Sequence, residues 1–234
     1  KLEQDTRKYP DGVSPDRSSP VFLKKLDPVK RNTAKGYALG VPYGMGAFAL
    51  GKTLDVPQKE AERLINGYLD GFPQLKDWME SSREQVKAHG YIVNHVGRVR
   101  HLPKVKRIYE KFGDKILDWK FRNSLNAQYG KDAVLQVYRD YKNGLNNCLN
   151  YQLQSLAASV VNRAALKINR KAKEMGIDAI VQAQVHDQLV INIREDQAEE
   201  FAPIVQHIME TNLVLPGVTL KAPPEIANNW KEGH

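Results

Sequence analysis

Apolar positions in the first three quarters of the chain recur mainly at three- and four-residue spacing, the pattern of helices that bury one face. Residues 28–41 form the first such segment. The stretch that follows, "PYGMGAFALGKTL", is too rich in Gly for a rigid helix throughout. Pro42 lacks an amide donor and disfavours helical geometry at Val41, so a helix from about residue 29 is expected to stop or kink there. Asp55 is the expected N-cap of a second helix, with Pro57 in its first turn and Ala61, Leu64, Ile65, Tyr68 and Leu69 at helical spacing. A third, from about Pro73 to Ala88, carries Leu75, Trp78, Met79, Ser82 and Val86 on one side. "GYIVNHVGRVRHLP" predicts a short hairpin turning near Gly97, with Arg98 and Arg100 on or beside its second strand. Residues 104–145 mix polar, basic and aromatic types and are expected to form two helical pieces. The longest apolar-periodic stretch runs from about Leu145 to Met175 and is stopped by Gly176.

The period then changes to two. Strands are expected at 179–185 and 189–194, with His186, Asp187 and Gln188 at the bend, followed by a helix over about 197–213 and a Pro-rich tail. Helices first and a hairpin late predict an α+β fold rather than a parallel α/β sheet. The opening 22 residues hold too few apolar side chains for a buried element and read as a flexible lead-in.

Charge adds a partner class. Lys and Arg outnumber Asp and Glu by 35 to 27, and a pI of 9.4 favours a polyanion over an acidic protein or a cationic substrate. A single Cys148 excludes an intrachain disulfide framework and a Cys-based zinc site. It fits a reducing, cytoplasmic compartment. No apolar run approaches the roughly 20 residues that span a bilayer, and no signal-peptide pattern opens the sequence, so no membrane partner is expected.

Three constellations could carry chemistry. Arg31, Lys35, Leu39 and Tyr43 are four apart, a slowly turning stripe if the helix continues past Gly40. Two cations one turn apart either grip a triphosphate, Arg through a bidentate fork and Lys as a point charge, or form a solvated face. Asn146, Asn150 and Gln154 repeat the spacing beside an apolar face. Neutral amides suit minor-groove acceptors, and equally suit ordinary packing. Asp187 beside His186 between two strands is either one carboxylate of a metal site or local turn chemistry.

Taken in order, these segments resemble the C-terminal half of the polymerase domain of family A DNA polymerases, the bacterial polymerase I-like group that includes many phage replicases. "RNTAKGYALGVPYG" matches the fingers-helix motif through Arg31, Lys35, Gly40, Tyr43 and Gly44. "GRVRHLP", "NYQLQSLAASVV", "VHDQLV" and "NNWKEGH" match four further family motifs, and the likeness covers nearly the whole chain.

The resemblance implies a right-hand polymerase fold: a lead-in over 1–27, helical fingers over 28–103, an insertion of unknown role over 104–145, and over 146–234 a palm segment with the minor-groove helix and the His-Asp hairpin. It implies that Arg31 and Lys35 bind the phosphates of an incoming deoxynucleoside triphosphate, with Leu39 against its sugar and Tyr43 at the templating base. Asn146, Asn150, Gln154, Arg98 and Arg100 would contact primer-template DNA, and His186 the primer end. Lys35, His186 and Asp187 would be catalytic, with Asp187 ligating two Mg2+ ions that it shares with a carboxylate outside this chain. Nothing before Arg31 resembles the family's first palm motif, so a second polypeptide supplying it and the thumb is expected, the chain being inactive alone and a split or cleaved phage-type product. Leu39 stands where the family has Phe or Tyr, Gln188 where it has Glu, and Asn146 where many relatives have Arg. The competing readings are a non-catalytic primer-template binding module and a fragment of a single-subunit RNA polymerase.

Overall fold

The structure is a computed structural model that describes residues 21–232. Its helices and two small antiparallel hairpins make it α+β, as the order of periods predicts. Among the described residues, Cα packing divides the chain into two compact units, one of residues 21–91 and 102–149, the other of residues 92–101 and 150–232.

The first unit opens with a single turn, α1 (Leu23–Leu26), and α2 (Pro28–Gly40). Most of the expected lead-in, including Asp5, Asp11 and Asp16, lies outside the described residues. α2 stops where Pro42 requires, and the chain turns over 41–44 before α3 (Ala47–Leu54). Tyr43 is therefore not on the helix that carries Arg31, Lys35 and Leu39: the pyrrolidine ring that ends α2 takes it off the stripe. Asp55 is not an N-cap either. It takes φ 55° and closes the C-terminal end of α3, while Pro57 precedes α4 (Gln58–Asp70). α2 is held to α4 by an exchange of tyrosines. Tyr37 donates its hydroxyl to the Leu64 carbonyl at 2.5 Å, Tyr68 donates to the Ala38 carbonyl at 3.3 Å, and the rings meet edge-on with centroids 5.2 Å apart.

α5 (Pro73–His89) begins on a Pro in its first turn and ends on Gly90, whose left-handed φ of 75° favours glycine. α6 (Pro103–Phe112), a 3-10 turn (Gly113–Leu117) and α7 (Trp119–Tyr129) follow, the last capped by Asp118, which accepts the Phe121 amide at 2.8 Å. The long helix α8 spans Lys131–Met175, so it starts fourteen residues before the expected Leu145. Gly144 reads as punctuation in the sequence, yet here it is a packing device: a Cβ on it would lie 2.2 Å from Cγ2 of the buried Val105, so the glycine lets α6 approach α8.

A buried cation fastens this segment to α5. The Lys87 side chain, 8% exposed, donates to Asp114 and to Glu84, each at 2.8 Å. Tyr141 of α8 donates its hydroxyl to the other Asp114 oxygen at 2.8 Å. Burial alone would lower the Lys87 pKa and raise that of Asp114, but the hydrogen bonds between them outweigh it, leaving Lys87 above and Asp114 below the ordinary range. Burial, then the bond to Asp114, pushes the Tyr141 phenol up. Burial likewise raises the Cys148 thiol to about 11, so this cysteine is a packed apolar group rather than a nucleophile.

In the second unit, β1 (Tyr91–Val93), from Ile92 onward, and β2 (Val99–His101) form the expected hairpin. After α8, β3 (Ala179–Val185) pairs antiparallel with β4 (Gln188–Ile193), and α9 (Glu195–Thr211) follows. Ala164, Ile168 and Ala172 of α8, with Ile177 and Phe201, form the core, and Val181, Leu189, Ile191 and Ile193 pack onto it from one face of the hairpin. The alternation breaks at Gln182, where the register shifts between Val181 and Ala183. The Val181 amide donates instead to Asn169 Oδ1 at 2.9 Å.

Candidate nucleic-acid interface and carboxylate hairpin

Along α2, residues four apart step by about 40° around the axis, so Arg31, Lys35 and Leu39 share one side of the helix. Arg31 is half-buried, its guanidinium donating to Asn32 Oδ1 at 3.5 Å, while Lys35 is exposed. Leu39 is 52% exposed, a large apolar side chain presented to solvent. Tyr43 is half-buried in the turn, immediately before Gly44 at φ 83°. A Cβ on Gly44 would lie 2.4 Å from Asn146 Oδ1, so the amide of α8 occupies the space that the missing side chain leaves. The helix thereby supports the turn that carries Tyr43.

In the second unit Asn150 and Gln154 lie one turn apart on α8. Asn150 Oδ1 is buried and has no hydrogen-bond partner. Such an atom costs on the order of 1–3 kcal/mol unless something satisfies it. Asn94, absent from the sequence-derived candidates, is 5% exposed and organises the neighbourhood. Its Oδ1 accepts the amides of Val96 and Arg98 at 3.0 and 2.9 Å, and its Nδ2 donates to Ser155 Oγ at 2.8 Å. The β1–β2 turn is thus tied to α8 one residue beyond Gln154, with Arg98 and Arg100 exposed on the hairpin. An Asn two residues before an amide and three before Gly97 is a legible Asx-turn signal, but its long-range partner is not.

His186 and Asp187 are the two residues between the paired Val185 and Gln188, so Gln188 belongs to β4 rather than to the bend. His186 takes φ 54°, a conformation uncommon outside Gly that concentrates where surrounding structure holds a functional turn. The Asp187 carboxylate is exposed, and no hydrogen bond or ion pair engages it among the described residues. Both residues border a groove of about 690 Å³, whose walls include Leu189, Phe201 and the tail segment Lys221–Ala227. As an oxygen donor Asp187 suits a hard cation such as Mg2+. Among the described residues, no three His, Cys, Asp or Glu side chains gather into a metal site.

No described helix is long and apolar enough to cross a membrane. A family model described as DNA polymerase family A matches residues 17–232. The chain is 29% identical over 214 residues to DNA polymerase I of Pseudomonas aeruginosa, covering 92% of this chain and 20% of that protein. It is 27% identical over 205 residues to the thermostable DNA polymerase I of Thermus aquaticus, covering 88% and 21%. The chain therefore spans about one fifth of the length of these relatives. In fold it is similar to the POL domain of Pol1 from M. smegmatis, solved with DNA primer-template and dNTP, at a TM-score of 0.66 and 23% identity over 92% of this chain and 31% of that one.

Proposed function

The chain belongs to DNA polymerase family A, and from that premise we propose that it supplies the fingers and part of the palm for template-directed DNA synthesis. Arg31 and Lys35 hold the triphosphate of the incoming deoxynucleotide from one side of α2, and Leu39 faces its sugar. Tyr43 meets the templating base from the turn that Gly44 and Asn146 support. Asn150 and Gln154 read the primer-template minor groove, where purine N3 and pyrimidine O2 offer acceptors at every base pair. The Arg98 and Arg100 guanidiniums pair with backbone phosphates. His186 contacts the primer 3′ end and positions its hydroxyl for attack on the α-phosphate.

The observation that carries the reading is the His186–Asp187 turn, with its positive φ and unengaged carboxylate at the edge of a groove. Asp187 would hold Mg2+; when bound, two such ions stabilise the charge on attacking and leaving oxygens. The second carboxylate and the thumb would come from sequence outside these 234 residues. A cytoplasmic location in a bacterial or phage-infected cell goes with this reading.

One observation favours a non-catalytic DNA-binding module instead: Asp187 is followed by the uncharged Gln188, and no second carboxylate stands near enough to gather with it among the described residues. Primer extension decides between the two. The chain is combined with the polypeptide that co-purifies with it and given primer-template, Mg2+ and either deoxy- or ribonucleotides. Extension with deoxynucleotides supports polymerase function; salt-dependent duplex binding without extension, with every co-purifying chain present, overturns it.

A further inference from the structure

Residues 104–145 carry ten Lys and Arg against five Asp and Glu, and the active-site reading uses none of them. Four of the five acids are already engaged: Glu110 with Lys106, Asp114 with Lys87, Asp140 with Lys104, and Asp118 as the cap of α7. Among the cations, Lys115 and Lys120 have no acidic partner and are exposed. Between them stand Leu117, 41% exposed, and Trp119, 65% exposed. Leu117 and Trp119 make an exposed apolar pair at the start of α7, which has no fully buried residue. The surface is nevertheless rigid at this point: Arg122 donates to the Ile116 and Leu117 carbonyls at 3.0 and 2.7 Å, and its guanidinium covers the Tyr138 ring at 4.1 Å. Leu117, Tyr138 and Lys142 share the wall of one cleft, with the Lys142 ammonium 5.7 Å from the Tyr138 ring centre.

We infer that this patch, centred on Trp119 and flanked in the chain by Lys115 and Lys120, binds single-stranded DNA. An exposed indole between amines matches a strand whose bases are free to stack and whose phosphates follow at short intervals. A duplex would satisfy the amines but leave the indole without a base, since its bases are stacked on one another. The surplus of unpaired cations favours a polyanion over a protein partner. The inference rests on the reading of the chain as a DNA polymerase component, whose unpaired template strand would be the ligand, but it concerns residues that reading leaves without a role.

The test uses the whole chain and a short oligo-dT, with fluorescence anisotropy of the labelled strand and quenching of Trp emission. Stacking of one base on one ring is worth about 1–3 kcal/mol, so Trp119→Ala should weaken oligo-dT binding by about 5- to 150-fold and remove most of the quenching. Trp119→Phe should restore much of the affinity. Lys115→Gln with Lys120→Gln should flatten the salt dependence. Blunt duplex binding should not change in Trp119→Ala or Trp119→Phe. Equal oligo-dT affinity in wild type and Trp119→Ala overturns the inference, as does failure of the wild type to bind oligo-dT; either result is expected if the indole serves a protein partner. If primer extension succeeds while Trp119→Ala leaves strand binding untouched, only this inference falls. If neither duplex nor single strand binds, the polymerase reading falls with it.

Discussion

Asn94 Nδ2 donates to Ser155 Oγ at 2.8 Å, across 61 positions of sequence. The same side chain accepts two amides of its own turn, so one residue shapes a hairpin and ties it to the helix of Asn150 and Gln154. Asn94→Ala removes three hydrogen bonds at a 5% exposed position and leaves the Val96 and Arg98 amides without that acceptor. The expected cost is about 2–4 kcal/mol of stability. Affinity for primer-template should fall as well, because Arg98 and Arg100 lose their fixed place. Thermal unfolding and duplex binding measured together check this; a stable variant with unchanged affinity would refute it.

Gly44→Ala meets two obstacles, a φ of 83° and the Asn146 carbonyl oxygen 2.4 Å from the new methyl. A loss on the order of 1–3 kcal/mol is expected, with a rise in KM for deoxynucleotide because Tyr43 moves with the turn. The two obstacles separate in a double-mutant cycle. Adding Asn146→Ala should relieve the contact but not the backbone strain, so the pair should be less destabilised than the sum of the singles. Additivity would remove Asn146 as the support of the turn.

Lys87→Met strips Asp114 of its buried cation. Because Asp114 and Glu84 are themselves half exposed, the loss should be only about 1–2 kcal/mol near neutral pH, discounted for solvent screening. The folded pKa of Asp114 is depressed, so its contribution is present above the unfolded carboxylate value of about 3.9 and is lost as pH falls through the folded one. Lys87 is raised, so its contribution is present below about 10.4 and lost as pH rises through its folded value. The gap between wild type and variant should stay flat across neutral pH and close below pH about 4. Denaturant midpoints measured over pH 2–9 test this; a gap that persists in acid would show that the cation acts through packing alone.

The periodicities disclosed most of the helices, both hairpins and the stop at Pro42. What they missed came from tertiary contacts. Gly144 looks like an end because a glycine lacks helix propensity, and only the position of Val105 reveals why α8 runs through it. Asp55 looks like an N-cap because its side chain suits one, yet its left-handed backbone ends the preceding helix. The shared helix side of Arg31, Lys35 and Leu39 was legible by spacing, and the turn at His186–Asp187 by its place between alternating strands. Asn94 and the support of Gly44 by Asn146 were not, since each depends on a partner dozens of residues away.

Leu39 is 52% exposed, so a larger ring has room there. Leu39→Phe should let an aromatic face pack on the nucleotide sugar and lower KM for deoxynucleotides by about 2- to 10-fold, the yield of an aromatic contact worth roughly 0.5–1.5 kcal/mol. Steady-state extension at varied deoxynucleotide concentration checks it; an unchanged or higher KM would take the sugar away from Leu39.

We propose Asp187 as a metal-ligating carboxylate of a DNA polymerase. Single-nucleotide incorporation by the reconstituted complex, wild type against Asp187→Ala, tests it most directly, with duplex affinity measured in the same samples. The variant should bind primer-template as the wild type does and lose incorporation by a factor on the order of 10²–10³ or more, the scale for removing a group that stabilises developing charge. Near-normal incorporation by Asp187→Ala would contradict the account.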